Sequence, residues 1–139
     1  MSESDDQRVA IITGAGTGMG RALALMLGEA GWKVALAGRR EEPLRETADL
    51  IEEIVRDGDR ALVCPTDVGK PEELENLVKA VTEKWGRIDC LVNNAGLASL
   101  VPIGRTDLET IENGFRVNAI GPAYLITLCW PELEKSDAG

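Results

Sequence analysis

Apolar residues along the chain fall in short unbroken runs, separated by longer stretches where they recur every three or four positions. The runs are "RVAIIT", "KVALAG", "RALVCPT" and "RIDCLVNNAG". Four to six apolar residues without polar alternation predict strands buried on both faces. Between them, "GRALALMLGEAG" sets Leu23, Leu27 and Ala30 at helical spacing, with Gly31 as the stop. "EPLRETADLIEEIVRDG" sets Leu44, Ala48, Ile51 and Val55 on one face before a Gly stop. "KPEELENLVKAVTEKWG" starts on Pro71 and turns Leu74, Leu77, Val78 and Val81 inward. A loop through Pro102 and Gly104 leads to Thr106, a suitable N-cap for a long helix from Asp107.

Strict alternation of strand and helix predicts parallel strands joined by right-handed crossovers. The expected fold is a three-layer α/β, Rossmann-type doubly wound parallel sheet of about four strands. At 139 residues with 44% apolar content, the chain fits one domain spanning residues 1–139, with a polar tail at 1–7. No repeat, low-complexity segment or linker interrupts it.

Composition removes several function classes. The chain has no histidine, so neither a Ser-His-Asp system nor a histidine-built metal site is available, and no metal is expected. Cys64, Cys90 and Cys129 are far apart and odd in number, which suits three small core residues in a reducing compartment. A net charge of −9 repels phosphate backbones, so nucleic acid is not an expected partner. The start "MSESDDQR" is unlike a signal segment, and no apolar run approaches spanning length. A soluble, cytoplasmic protein without a membrane partner is expected.

The chemistry concentrates where the first run meets the first helix, in "IITGAGTGMGRALA". A strict G-x-G-x-x-G does not fit, because it would need glycine at Met19 or at Arg21. The spacing present is Thr13-Gly14-x-x-x-Gly18-x-Gly20. Gly14 permits the tight turn, Gly18 admits a pyrophosphate to the backbone, and Gly20 lets the helix pack closely. Free N–H groups around Thr17 and Met19, together with the helix dipole, would hold the phosphates. A P-loop would need Gly-Lys-Ser/Thr, which is absent. A methyltransferase turn would carry acids where Thr13 and Gly38 stand.

The second strand ends in "LAGRREE". An NAD site often places an acid there for the ribose hydroxyls; here Gly38 holds that place, followed by Arg39 and Arg40. Guanidinium groups grip a 2′-phosphate, so NADP(H) is expected over NAD(H). The alternative is a solvated pair meeting Glu41 and Glu42, which applies most to Arg40.

"TGAGTGMG", the two arginines, "DV" at Asp67–Val68, "NNAG" at Asn93–Gly96 and "VNAIG" around Asn118 stand in order. Together they closely resemble the short-chain dehydrogenase/reductase family, over the chain from about Arg8 onward. The resemblance implies that Asp67 accepts the adenine amino group while Val68 walls the ring. Unaided, Asp67 reads as a loop acid. It also implies that Thr13 bonds across to the "NNAG" turn, and that Asn94, Ala95 and Gly96 line the nicotinamide-side ribose. Asn118 matches the family asparagine whose backbone carbonyl holds a water in the proton relay.

The family moves a hydride between nicotinamide and a carbonyl or alcohol carbon, using a serine and a Tyr-x-x-x-Lys. Tyr124 is the single tyrosine, and Leu128 stands where the lysine would be, so Tyr124 is expected to be core or interface. The chain therefore resembles the cofactor-binding N-terminal half of such an oxidoreductase, acting on a small carbonyl or alcohol substrate if completed. A non-catalytic nucleotide-binding or interaction module is the competing expectation. The fourth strand would be an exposed edge, and the last helix is apolar nearly all round. Self-association through one of them is expected.

Overall fold

The computed structural model describes residues 8–139, so the polar tail expected at 1–7 lies outside the described residues. The elements alternate as β1 (Val9–Thr13), α1 (Gly18–Glu29), β2 (Lys33–Gly38), α2 (Glu41–Val55), β3 (Ala61–Pro65), α3 (Pro71–Trp85) and β4 (Cys90–Val92). A single 3-10 turn (Ile103–Arg105) precedes α4 (Leu108–Phe115). A π-helical segment (Arg116–Ile120) then joins α4 to α5 (Gly121–Lys135).

The strands form one parallel sheet in the order β3-β2-β1-β4, so the chain winds outward both ways from β1. Val9 to Thr13 lie opposite Lys33 to Ala37, Ala10 to Ile12 lie opposite Cys90 to Val92, and Val34 to Gly38 lie opposite Ala61 to Pro65. One face packs Ile12, Val34 and Leu36 against Ala24 of α1 and Leu44 and Ile51 of α2. The other packs Val9, Ile11 and Ala35 against Leu74, Leu77 and Val81 of α3 and Leu125 and Cys129 of α5. Each fully buried Ile or Leu contributes about 1.5–3 kcal/mol, so these two apolar layers hold the sheet in place. This is the three-layer, Rossmann-type α/β fold the alternation predicts.

Burial on both faces holds for β1 and for Val34 to Ala37 of β2, but β3 and β4 are only half-buried. They are the two edges, each with a neighbour on one side only. In α1 the buried positions are Gly20, Ala24 and Gly28, while Leu23 and Leu27 flank them half-buried and Ala30 is exposed. Small residues are required there because α1 lies so close to its neighbours. A Cβ on Gly28 would stand 2.9 Å from Ile51.

Three boundaries differ from the sequence expectation. α2 stops at Arg56, which adopts the left-handed conformation (φ 55°), rather than at Gly58. Asp107, not Thr106, caps α4, with its carboxylate accepting from the Thr110 N–H at 2.8 Å. The Thr110 side chain first, and then this N–H, hold the Asp107 carboxyl below the usual carboxylate range. Thr106 instead donates its hydroxyl back to the Pro102 carbonyl. The long helix from Asp107 is also not uniform, because the π segment interrupts it.

The N-terminal ends of the strands are tied by a buried carboxylate. Asp89 accepts from the Val9 N–H, twice from Arg87, and from Ser136 Oγ at 2.6 Å. Burial alone would raise its pKa; the bonds from Arg87, Ser136 and Val9 prevail and hold it below the usual range.

Candidate functional site

At the opposite end of the sheet the four strands deliver their following loops to one cleft of roughly 750 Å³. Parallel strands make this unavoidable, since every strand-to-helix loop emerges at the same edge. The glycine turn after β1 contributes Gly14, Thr17, Gly18 and Met19. The loop after β2 contributes Arg39 and Arg40, that after β3 Asp67 and Val68, and that after β4 Asn94, Ala95 and Gly96.

Three sequence-predicted residues stand outside the cleft wall and support it. Thr13 Oγ1 accepts from the N–H groups of Asn94 (3.0 Å) and Ala95 (2.9 Å), pinning the loop after β4 to the end of β1. Gly20 lies behind the turn, where a Cβ would fall 2.1 Å from the Gly14 carbonyl oxygen, so no other residue fits without moving α1. Asn118 sits in the π segment and grips Leu97 at both backbone groups. Its Oδ1 accepts from the Leu97 N–H and its Nδ2 donates to the Leu97 carbonyl, each at 2.7 Å. The resemblance pointed to the Asn118 backbone carbonyl; this side-chain role was not anticipated. Single-turn π segments in long helices recur at functional sites.

Gly14 and Gly18 both adopt positive φ, 65° and 56°. They differ in surroundings. A Cβ on Gly14 would meet Asn94 Nδ2 at 2.9 Å, whereas one on Gly18 would meet nothing within 4 Å. Gly14 is thus crowded by protein, while Gly18 faces open space at the start of α1, where a ligand could approach the backbone. No side chain bonds to the first N–H groups of α1, and no acid occupies its first turn. The site keeps its positive helix end free for an anion.

Arg39 and Arg40 are both exposed on the rim, and neither makes an ion pair among the described residues. Glu41 is engaged by Arg45 instead, so the expected alternative of a pair meeting Glu41 and Glu42 is not what forms. Asp67 serves its loop, as it would without any ligand. Its Oδ1 accepts from the Gly69 N–H at 2.9 Å and its own N–H donates to Glu73. Oδ2 remains free to accept, beside the buried Val68.

The cleft also draws on residues outside the sequence-predicted set. Thr66, Leu97, and Asn113 and Val117 from the α4 region line it. Thr66 and Leu97 adjoin the predicted Asp67 and Asn94–Gly96 loops, whereas Asn113 and Val117 reach the cleft through packing across the fold that no local spacing announces.

Tyr124 does not line this cleft. Its hydroxyl donates to Glu75 at 2.6 Å, and its ring packs on the α3–α5 core. The bond to the Glu75 carboxylate pushes the phenol pKa up, the wrong direction for a proton donor at neutral pH. The cysteines are free thiols, and burial pushes Cys64 up to about 11 and Cys129 to about 12, so neither is a nucleophile. Among the described residues, no group of His, Cys, Asp or Glu could hold a metal ion, and no helix is long and apolar enough to cross a membrane.

The short chain dehydrogenase family model matches residues 8–139. An uncharacterised oxidoreductase of Staphylococcus aureus (strain MW2) is 33% identical over 132 residues, covering 95% of this chain and 55% of its own length. L-sorbose reductase from Gluconobacter frateurii, solved with NADPH and L-sorbose, superposes with a TM-score of 0.83 at 30% identity. That match covers 91% of this chain and 47% of the reductase. A 7α-hydroxysteroid dehydrogenase solved with NADH and 7-oxo glycochenodeoxycholic acid gives 0.84 at 31% identity, over 97% and 53% of the two chains. The chain spans about half the length of the curated relatives it matches.

Proposed function

The chain belongs to the short-chain dehydrogenase family, and on that premise we propose that it forms the NADP(H)-binding part of an oxidoreductase acting on a carbonyl or alcohol. The observation that carries this reading is the convergence of the glycine turn, Arg39–Arg40, Asp67–Val68 and Asn94–Gly96 on one cleft. The open Gly18 and the uncapped start of α1 suit a pyrophosphate. The unpaired guanidinium groups suit a 2′-phosphate, and the free acceptor on Asp67 suits an adenine amino group. Asn94, Ala95 and Gly96 would flank the nicotinamide-side ribose, and Asn118 would support the relay end of the site. When bound, the nicotinamide supplies hydride-transfer chemistry; these residues bind and orient it. The solved neighbours hold NADPH in one case and NADH in another, so the preference for NADP(H) rests on Arg39 and Arg40.

A second reading is a nucleotide-binding or interaction module without turnover of its own. It is favoured by the place of Tyr124, bonded to Glu75, and by the lack of a lysine among the described residues of the cleft. Self-association is supported by Phe115, Ile120, Ile126 and Trp130, exposed apolar positions on α4, the π segment and α5. The three free thiols suit a reducing, cytoplasmic setting. Calorimetric titration with NADPH and NADH, beside turnover on a panel of carbonyl compounds, separates the two readings. Binding with turnover is expected of the enzyme, and binding without it identifies the module. Failure to bind either nucleotide would remove the oxidoreductase and the nucleotide-binding module, and leave only an interaction module.

A further inference from the structure

Thr47 is fully buried in the second turn of α2, although nothing in its sequence neighbourhood marks it. Its hydroxyl lies 3.0 Å from the Ala15 carbonyl and 3.1 Å from the Pro43 carbonyl. A threonine has one proton to donate. Arg21 of α1 decides where it goes. Its Nε donates to Thr47 Oγ1 at 3.0 Å, and its Nη2 donates to the Pro43 carbonyl at 3.1 Å and to Glu46 at 3.0 Å. The Pro43 carbonyl is therefore supplied by Arg21, and the Thr47 proton serves Ala15. The Ala15 N–H is in turn bound to the Ala37 carbonyl at the end of β2. Gly16 closes the same seam, since a Cβ there would stand 2.8 Å from Pro43.

These bonds join two parts of the cleft that the chain itself leaves independent. On one side is the glycine turn; on the other is the start of α2, directly after Arg39 and Arg40. We propose that Thr47, oriented by Arg21, is a positioning residue that fixes the spacing between the pyrophosphate turn and the arginine pair, and so sets selectivity for the 2′-phosphorylated cofactor. This rests on the assignment of Arg39–Arg40 to that phosphate. A ligand lacking the 2′-phosphate engages the turn and the loops after β3 and β4 but not the arginine pair, and is indifferent to that spacing. A ligand carrying it must engage both parts at once, and gains from the second contact only if the two are held at the matching distance.

The test is titration of the chain and its Thr47→Val and Thr47→Ser variants with NADPH and with NADH, together with their melting temperatures. Thr47→Val keeps the shape and removes the hydroxyl. It is expected to weaken NADPH about fivefold or more while changing NADH less than about twofold. Thr47→Ser is expected to restore both. In an Arg39→Ala/Arg40→Ala background, the extra loss for NADPH should disappear. Arg21→Met, at a half-buried side chain, removes the orienting donors without opening the core and should act in the same direction if Thr47→Val fails to fold. Equal losses for both nucleotides, or an NADPH-selective loss that persists without the arginines, overturns the proposal. A wild-type chain with no NADPH preference overturns the arginine assignment first, and this inference with it.

Discussion

The two ends of the sheet treat polar groups in opposite ways. At the N-terminal ends of the strands, charges are matched inside the molecule. Asp89 has four donors, and Asp59 is paired with both Lys33 and Lys84, whose hydrogen bonds pull its pKa down to about 2. At the C-terminal ends, Arg39 and Arg40 make no ion pair among the described residues, Asp67 keeps a free acceptor, and α1 starts without a capping side chain. The polarity of the parallel strands sends every strand-to-helix loop to one end, and the side chains there decide that its polar groups stay unsaturated. Saturation marks a clasp, and unspent hydrogen-bonding capacity marks a place for a ligand.

That contrast can be broken most severely at the clasp. Asp89→Asn keeps the shape of the side chain but leaves Arg87 without its carboxylate. A loss of about 2–3 kcal/mol is expected, below the range for a fully buried pair because Arg87 is partly exposed. Denaturant unfolding measures it, and nucleotide selectivity should not change. The Asp89 carboxyl is held below its unfolded value, so its contribution is present at neutral pH and is lost as pH falls through the folded value. The stability gap between wild type and Asp89→Asn should therefore close on acidification. A gap that stays constant down to about pH 2 would show that Asp89 acts through packing alone.

A smaller effect is expected at Tyr124, which belongs to neither end. Tyr124→Phe removes one exposed hydrogen bond to Glu75 and should leave the denaturation midpoint nearly unchanged, with both nucleotide affinities unchanged. Any preparation that turns over substrate should do so equally well with this variant. A large loss of turnover would give Tyr124 a chemical role that its position argues against.

The fold was legible because hydrophobic run length and turn residues are local signals, and the parallel sheet follows from their alternation. The glycine turn was legible for the same reason: Gly14, Gly18 and Gly20 act within eight residues of one another. Legibility failed where a single residue competes with its neighbour, as when Asp107 rather than Thr106 took the cap, or Arg56 rather than Gly58 ended α2. It failed again where tight packing selects small residues further along α1, since Ala24 and Gly28 carry little hydrophobic signal. It also failed for contacts that join distant segments. Arg21 to Thr47, and Asn118 to Leu97, depend on side chains meeting across the fold, and spacing along the chain does not encode such meetings.

The central claim is that the unsaturated end of the sheet holds the 2′-phosphorylated nicotinamide cofactor through Arg39. The most direct measurement is the dissociation constant of NADPH and of NADH for wild type and for Arg39→Asp, at one fixed ionic strength. Arg39→Asp is expected to weaken NADPH by about thirtyfold or more, through loss of a charge-assisted contact and gain of a repulsive one, and to change NADH by less than about threefold. Equal loss for the two nucleotides would contradict it.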